Sequence, residues 1–182
     1  TAKTLTGAGA IKADGVPASS FGSSGGGRIS VQLSAVDADS ASFTGGIAAY
    51  GGYINASNMG TPGSIYLETP ANKAAGGDLI YKGRNNTIHS YAAISSEIWS
   101  AMAETNTTFA SVTLTNGAAL AVGPNCVLRT PVLKGYSSAK EFVRLRNGSL
   151  DITSTTPIEN LSLVHLVAPS TIACETLRLG TG

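Results

Sequence analysis

Charge is scarce in this sequence. Of 182 residues, 12 are Lys or Arg and 11 are Asp or Glu, 13% in all, where a typical domain carries about 25%. A formal net charge of +1 gives no electrostatic basis for holding nucleic acid or an anionic membrane. No apolar run approaches the roughly 18 residues that a membrane span needs. Histidine occurs only at positions 89 and 165, too sparse for a histidine-rich metal site. Also missing are a Gly-x-Ser-x-Gly elbow, a Walker loop and any zinc-ligand spacing. What fills the chain instead is 22 Gly, 21 Ser, 19 Thr and 10 Asn beside a 42% hydrophobic fraction. A disordered linker would lack those apolar residues, and a helical bundle would not tolerate so many helix breakers.

Short alternating runs punctuated by Gly or Asn recur along the chain. Ile29-Ser30-Val31-Gln32-Leu33, Ile65-Tyr66-Leu67-Glu68, Val112-Thr113-Leu114-Thr115, Val143-Arg144-Leu145-Arg146, Leu161-Ser162-Leu163 and Leu177-Arg178-Leu179 all alternate apolar with polar residues. That period of two is the mark of half-buried strands, so the chain reads as mainly β. The stretch Val112–Val122 aligns with Val143–Ile152 around Asn116-Gly117 and Asn147-Gly148, and Leu114, Leu145 and Leu179 follow one another at similar steps. A period of roughly 30 residues indicates stacked repeats. Their inward positions would be Ile29, Val31, Leu33, Ile65, Leu67, Leu114, Val143, Leu145 and Leu163. Asn-Gly hairpins of a β-sandwich are the competing reading. Between 85 and 107 the rhythm breaks. Ile94, Ile98 and Met102 recur every four residues among alanines, which predicts a short helix over 94–103, with a strand as the alternative.

The segment Leu5-Thr-Gly-Ala-Gly-Ala-Ile11-Lys-Ala-Asp14-Gly15, the run Gly25-Gly26-Gly27-Arg28-Ile29, and the later Phe43–Gly52, Gly63–Glu68 and Gly77–Ile80 resemble the repeats of extracellular bacterial right-handed parallel β-helix proteins. The resemblance covers about residues 4–84 well and 108–182 loosely. It implies an all-β solenoid with a short irregular or helical insert near 85–107, secreted or displayed on a cell surface, in which glycine triplets such as 25–27 form turns. Beginning at Thr1-Ala2-Lys3 without an initiator Met or leader, the chain reads as one module, 1–182, excised from a larger secreted protein.

Parallel β-helices host polysaccharide hydrolases and lyases. Hydrolysis needs two carboxyl groups converging on one bond. The closest pair, Asp37 and Asp39, sits in a strand-end segment where Asp commonly caps a turn. A lyase would need a basic residue beside calcium. Arg144 and Arg146 share an outward face, but Glu141 and Asp151 are too scattered for a calcium cage. His165 lies in the apolar run Leu163–Val167 and reads as structural, while His89 sits in a polar stretch with Arg84, Asn85, Asn86 and Tyr91. Cys126 and Cys174 are the two cysteines. Secretion would permit a disulfide, adjacent coils would be required for it, and buried unpaired thiols are the favoured reading. Neither a catalytic residue, a metal nor a cofactor is expected.

Six Tyr, four Phe and one Trp remain. Sugars present apolar C–H faces edged by hydroxyls, so exposed rings beside hydrogen-bonding groups suit them. With Ile65 and Leu67 inward, Tyr66 and Glu68 point outward together, beside Gln32 on the neighbouring strand. Tyr81 and Lys82 extend that surface, and Tyr91 and Trp99 lie at its edge; Tyr50 and Tyr53 read as covering glycine-rich gaps. The similarity to β-helical carbohydrate-binding modules of secreted xylan-degrading enzymes points the same way. The expectation is a non-catalytic module, a monomer attached to a catalytic domain, that binds xylan or a related plant polysaccharide through Gln32, Tyr66, Glu68, Tyr81, Lys82, Tyr91 and Trp99. A structural or adhesive segment of a bacterial cell-surface protein is the second reading, and an enzyme the third.

Overall fold

The computed structural model describes residues 1–17, 23–55, 58–84, 96–98, 105–135, 141–153, 162–167 and 169–174. The fold is all-β. Its strands are β1 Ala10–Lys12, β2 Arg28–Gln32, β3 Gly46–Ala48, β4 Tyr53–Asn55, β5 Asn58–Met59, β6 Ser64–Glu68, β7 Asp78–Lys82, β8 Ser96–Ile98, β9 Thr105–Thr108, β10 Ser111–Thr115, β11 Ala119–Val122, β12 Cys126–Thr130, β13 Leu133–Gly135, β14 Phe142–Arg146, β15 Ser149–Ile152, β16 Ser162–Val167 and β17 Thr171–Cys174. One turn of 3-10 helix, Lys73–Ala75, lies between β6 and β7.

From β7 to β15 successive strands pass in rotation among three sheets, ordered β13-β10-β7-β6-β2, β16-β14-β11-β8 and β17-β15-β12-β9, and β16 and β17 add to the second and third. Every pair among β7 to β17 is parallel. Strands on either side of Asn116-Gly117, and of Asn147-Gly148, belong to different sheets. That excludes the Asn-Gly hairpins of a sandwich. Instead Asn116, Asn125 and Asn147 turn corners at φ of 54, 60 and 56°, a left-handed conformation that Asn tolerates better than most residues. The amide of Asn125 donates to the Asn147 carbonyl at 3.1 Å, so like corners stack.

The spacing inferred from sequence is corrected by the register. Ala119 pairs with Phe142, Val127 with Ser149 and Val112 with Leu133. Paired residues from β8 to β17 are thus 20 to 24 apart in sequence, shorter than the step read from the leucines, while β7 and β10 are 33 apart, as Leu79 is from Val112. Leu145 faces Val122, not Leu114. The aligned stretches are two strand–Asn-Gly–strand corners taken from different corners, which is why they align at the wrong period. The helix expected over 94–103 is also overturned where it is described: Ser96–Ile98 is a strand paired with β11. Backbone pairing in the sheet outweighs the modest helical preference of the alanines.

The chain up to Glu68 stacks differently. Pairing of β1 with β3, and of β2 with β6, is parallel at a step of 36 in sequence, as between Gln32 and Glu68. The segments 13–16, 24–27, 49–52 and 60–63 hydrogen-bond to one another outside any regular strand: Gly27 to Ala13 at 2.7 Å, Gly15 to Tyr50 at 2.7 Å, Gly63 to Ala49 at 2.7 Å, Gly26 to Thr61 at 2.9 Å and Gly52 to Ser24 at 2.8 Å. Backbone packs directly on backbone. A Cβ on Gly26 would collide with the Ala49 carbonyl, and one on Gly60 with that of Ser24. Gly25–Gly27 are therefore not the turns expected of them but members of a close-packed backbone lattice.

Between these two arrangements the chain reverses. Asn72 ties the hairpin, accepting the Thr69 amide at 2.8 Å and donating to the Leu67 carbonyl at 3.3 Å and to Asp78 Oδ2 at 2.7 Å. As a result β6 and β7 pair antiparallel, with Ile65 opposite Ile80 and Tyr66 opposite Leu79. Partners across a ladder share a face. One face of the five-stranded sheet thus carries Ile29, Ile65 and Ile80, which pack with Ala49, Ile11 and Ile47. The opposite face carries Leu79, Tyr81, Val112 and Leu114, which pack with Leu120, Leu128, Val143 and Leu150. Among the described residues two cores lie on opposite faces of one sheet, and β7 belongs to both.

The inward positions read from sequence hold for Ile29, Leu33, Ile65, Leu114, Val143 and Leu145, all buried. Val31 and Leu67 are half-buried against the first core, and the side chain of Leu163 lies outside the described residues. No disulfide joins Cys126 and Cys174. They sit at opposite ends of β12 and β17, with β15 between.

Candidate functional site

The surface expected from sequence is only partly assembled. Gln32, Tyr66 and Glu68 do meet. The Tyr66 hydroxyl donates to Glu68 Oε2 at 2.7 Å, Gln32 Nε2 reaches the same oxygen at 3.5 Å, and Lys73 Nζ lies 3.8 Å from Oε1. Tyr66 also packs edge-on against Phe109, centroids 6.4 Å apart, over Gly77, where a Cβ would stand 2.7 Å from the ring. These groups largely satisfy one another. Tyr81 is a correction: at 5% exposure it lies in the second core, because the hairpin turns its face of β7 inward. Lys82 is on the opposite face, half-buried, with Nζ donating to the Ile47 carbonyl at 3.1 Å. Tyr91, Trp99 and His89 lie outside the described residues, as does the side chain of His165. Asp39 caps its turn as expected, accepting from the Ala41 amide at 3.0 Å.

Burial, then the Glu68 hydrogen bond and charge, then the charge of Asp78, push the Tyr66 phenol up to about 12. Burial raises Tyr81 to about 12 as well, with Arg28 acting in the other direction. An unfolded tyrosine ionises near pH 10. The folded chain therefore keeps these protons longer, and the stability they contribute is complete below about pH 10 and is lost as pH rises towards 12. Titrating phenolate absorbance is expected to show a late component near pH 12. Glu68→Gln should lower the Tyr66 part of it without bringing it fully to the ordinary value, since burial remains. Unchanged titration in that variant would contradict the Tyr66–Glu68 contact.

A different place gathers open chemistry. Lys12 and Asp14 lie close together at the end of β1, and one layer on is Tyr50, whose amide donates to Asp14 Oδ1 at 2.8 Å. Beyond β7, Arg84 reaches back across the junction. Its guanidinium carbon lies 5.3 Å from the Tyr50 ring centroid, and its Nη2 3.9 Å from Asp14 Oδ2. A cation at that distance from a ring is attracted by its electron-rich face. Gly83, next to Arg84, allows the close pass over the Asn116 corner, where a side chain would collide with the Asn116 carbonyl. Together with Tyr53 these residues line an open cleft of about 650 Å³, within the range of small-molecule sites. Two rings, two cations, one carboxylate and one amide converge there.

From sequence, Tyr50 and Tyr53 read as gap-covering residues, and Lys12, Asp14, Arg84 and Asn116 carry no binding expectation. The available signal was the recurrence of Asp14-Gly15 and Tyr50-Gly51 at the same step of 36 that separates stacked layers. Among the described residues no three His, Cys, Asp or Glu side chains gather as a metal site. Comparison with protein-family models, curated proteins and solved structures returned no match.

Proposed function

We propose that the chain is a parallel β-helix module that binds polysaccharide without cleaving it, and that the cleft between Tyr50, Tyr53 and Arg84 is where it does so. Passage of β7 to β15 in rotation through three sheets, with every pair among β7 to β17 parallel, supports the β-helix, and the twist of parallel crossovers favours its right-handed form. The observation that carries the binding reading is the cleft itself: tyrosine rings beside hydrogen-bond donors and acceptors in an open groove of about 650 Å³. An open groove admits the middle of an extended chain, as a glycan needs. Among the described residues its lining offers one carboxylate, Asp14, already engaged by the Tyr50 amide and Arg84, where glycoside hydrolysis takes two. In this reading the module is extracellular and directs an attached catalytic domain to plant polysaccharide, with xylan-type chains first.

The test is calorimetry of xylohexaose and glucuronoxylan fragments against wild type and Tyr53→Ala. Loss of the ring is expected to weaken binding by at least about 1 kcal/mol, as for an anchoring aromatic, with circular dichroism unchanged. Equal binding by both proteins would move the site elsewhere. Binding of no glycan by wild type would favour the structural or adhesive segment.

A further inference from the structure

Accepting the glycan-binding reading of the cleft, on which this step rests, we infer that the cleft selects a sugar bearing a carboxylate, a uronate, held between Lys12 and Arg84 with its ring on Tyr53. The charges in the lining are two cations and one anion. Both oxygens of the anion are in use: Asp14 Oδ1 accepts the Tyr50 amide, and Oδ2 lies beside Arg84. Lys12 is exposed, and no ion pair involves it among the described residues. Among the described residues, one positive charge in the cleft is therefore uncompensated.

Arg84 is prepared for the same task. Contact with Tyr50 and Asp14 fixes its guanidinium, and the side chain is only 30% exposed, which reduces the rotamer freedom lost when a ligand binds. The planar fork has five N–H donors, and the single Asp14 contact at 3.9 Å leaves most of them for a second carboxylate. Arg84 also covers one face of Tyr50, which leaves Tyr53 as the ring against which a sugar can lie. A neutral sugar in the same position would displace water from two cations and return only hydroxyl contacts. A uronate returns charge-assisted hydrogen bonds. With the whole chain near neutrality at +1, this selectivity is local to the cleft and does not come from long-range attraction.

The discriminating pair of probes is hexagalacturonate and its full methyl ester, which share a backbone and differ in charge. Wild type is expected to bind the acid at least tenfold more tightly than the ester, with the difference shrinking as salt rises. Lys12→Ala should remove most of that preference by weakening the acid far more than the ester, and Lys12→Arg should restore it. Tyr53→Ala should weaken both probes. Equal affinity for acid and ester, or a preference that survives Lys12→Ala, overturns the uronate inference and leaves glycan binding standing. Failure to bind the acid, the ester and xylohexaose alike removes both.

Discussion

Gly60→Ala is expected to destabilise the protein by about 3 kcal/mol, at the upper end of the cost of overpacking a close-packed interior. The added methyl would enter the carbonyl of Ser24 and come within 3.1 Å of the Gly25 amide nitrogen. Neither is the movable end of a side chain. Relief requires the segments 24–27 and 60–63 to separate, and their hydrogen bonds hold the two layers of the first core together. Gly46→Ala is the matched control, because nothing lies within 4 Å of a Cβ there and its φ is not positive. That change should stay within about 0.5 kcal/mol of wild type. Urea denaturation of the three proteins decides the matter: a Gly60→Ala midpoint equal to that of Gly46→Ala would show that the lattice is not close-packed.

Leu114→Ala should cost a similar amount, about 3 kcal/mol, through lost burial and the cavity left behind. Leu114 is fully buried between Tyr81 on β7 and Gly135 on β13, its register partners. The less obvious expectation concerns the shape of the transition. Since β7 gives Leu79 and Tyr81 to one core and Ile80 to the other, neither core keeps its sheet when the other melts. Gly60→Ala and Leu114→Ala should thus each lower a single unfolding midpoint, followed alike by tyrosine fluorescence and far-ultraviolet dichroism. Two separated transitions, each moved by only one substitution, would contradict the shared sheet.

Local pattern made part of this fold legible. Alternation at Ile29, Ile65, Leu114, Val143 and Leu145 identified inward positions because a strand's two-residue period depends on burial alone. Asn116 and Asn147 were readable as turning points because few other residues adopt positive φ easily. The path between strands was not legible in this way. A corner such as Thr115-Asn116-Gly117 looks the same wherever it stands in the rotation, so aligning two corners returned a false period. The reversal after β6 rests on Asn72 and on Gly76 and Gly77, at φ of 93 and 70°, with no repeat to announce it. Its one trace was the unbroken apolar run Leu79-Ile80-Tyr81, which belongs to a strand buried on both faces.

The cleft was hidden for the same reason. Lys12 and Asp14 approach Arg84 only because the reversal brings β7 back against the first layers, so their wide separation along the chain says nothing about proximity. By contrast, Gln32, Tyr66 and Glu68 sit on registered neighbouring strands, and local alternation was enough to bring them together. What alternation could not show was that these groups use their hydrogen-bonding capacity on each other.

Mapping amide chemical shifts during titration with hexagalacturonate separates the two surfaces in one experiment. Shifts are expected to concentrate at Lys12, Asp14, Tyr50, Tyr53, Arg84 and Asn116, with Arg28–Gln32 and Ser64–Glu68 little changed. Shifts concentrated on those outer strands would contradict the cleft as the glycan site.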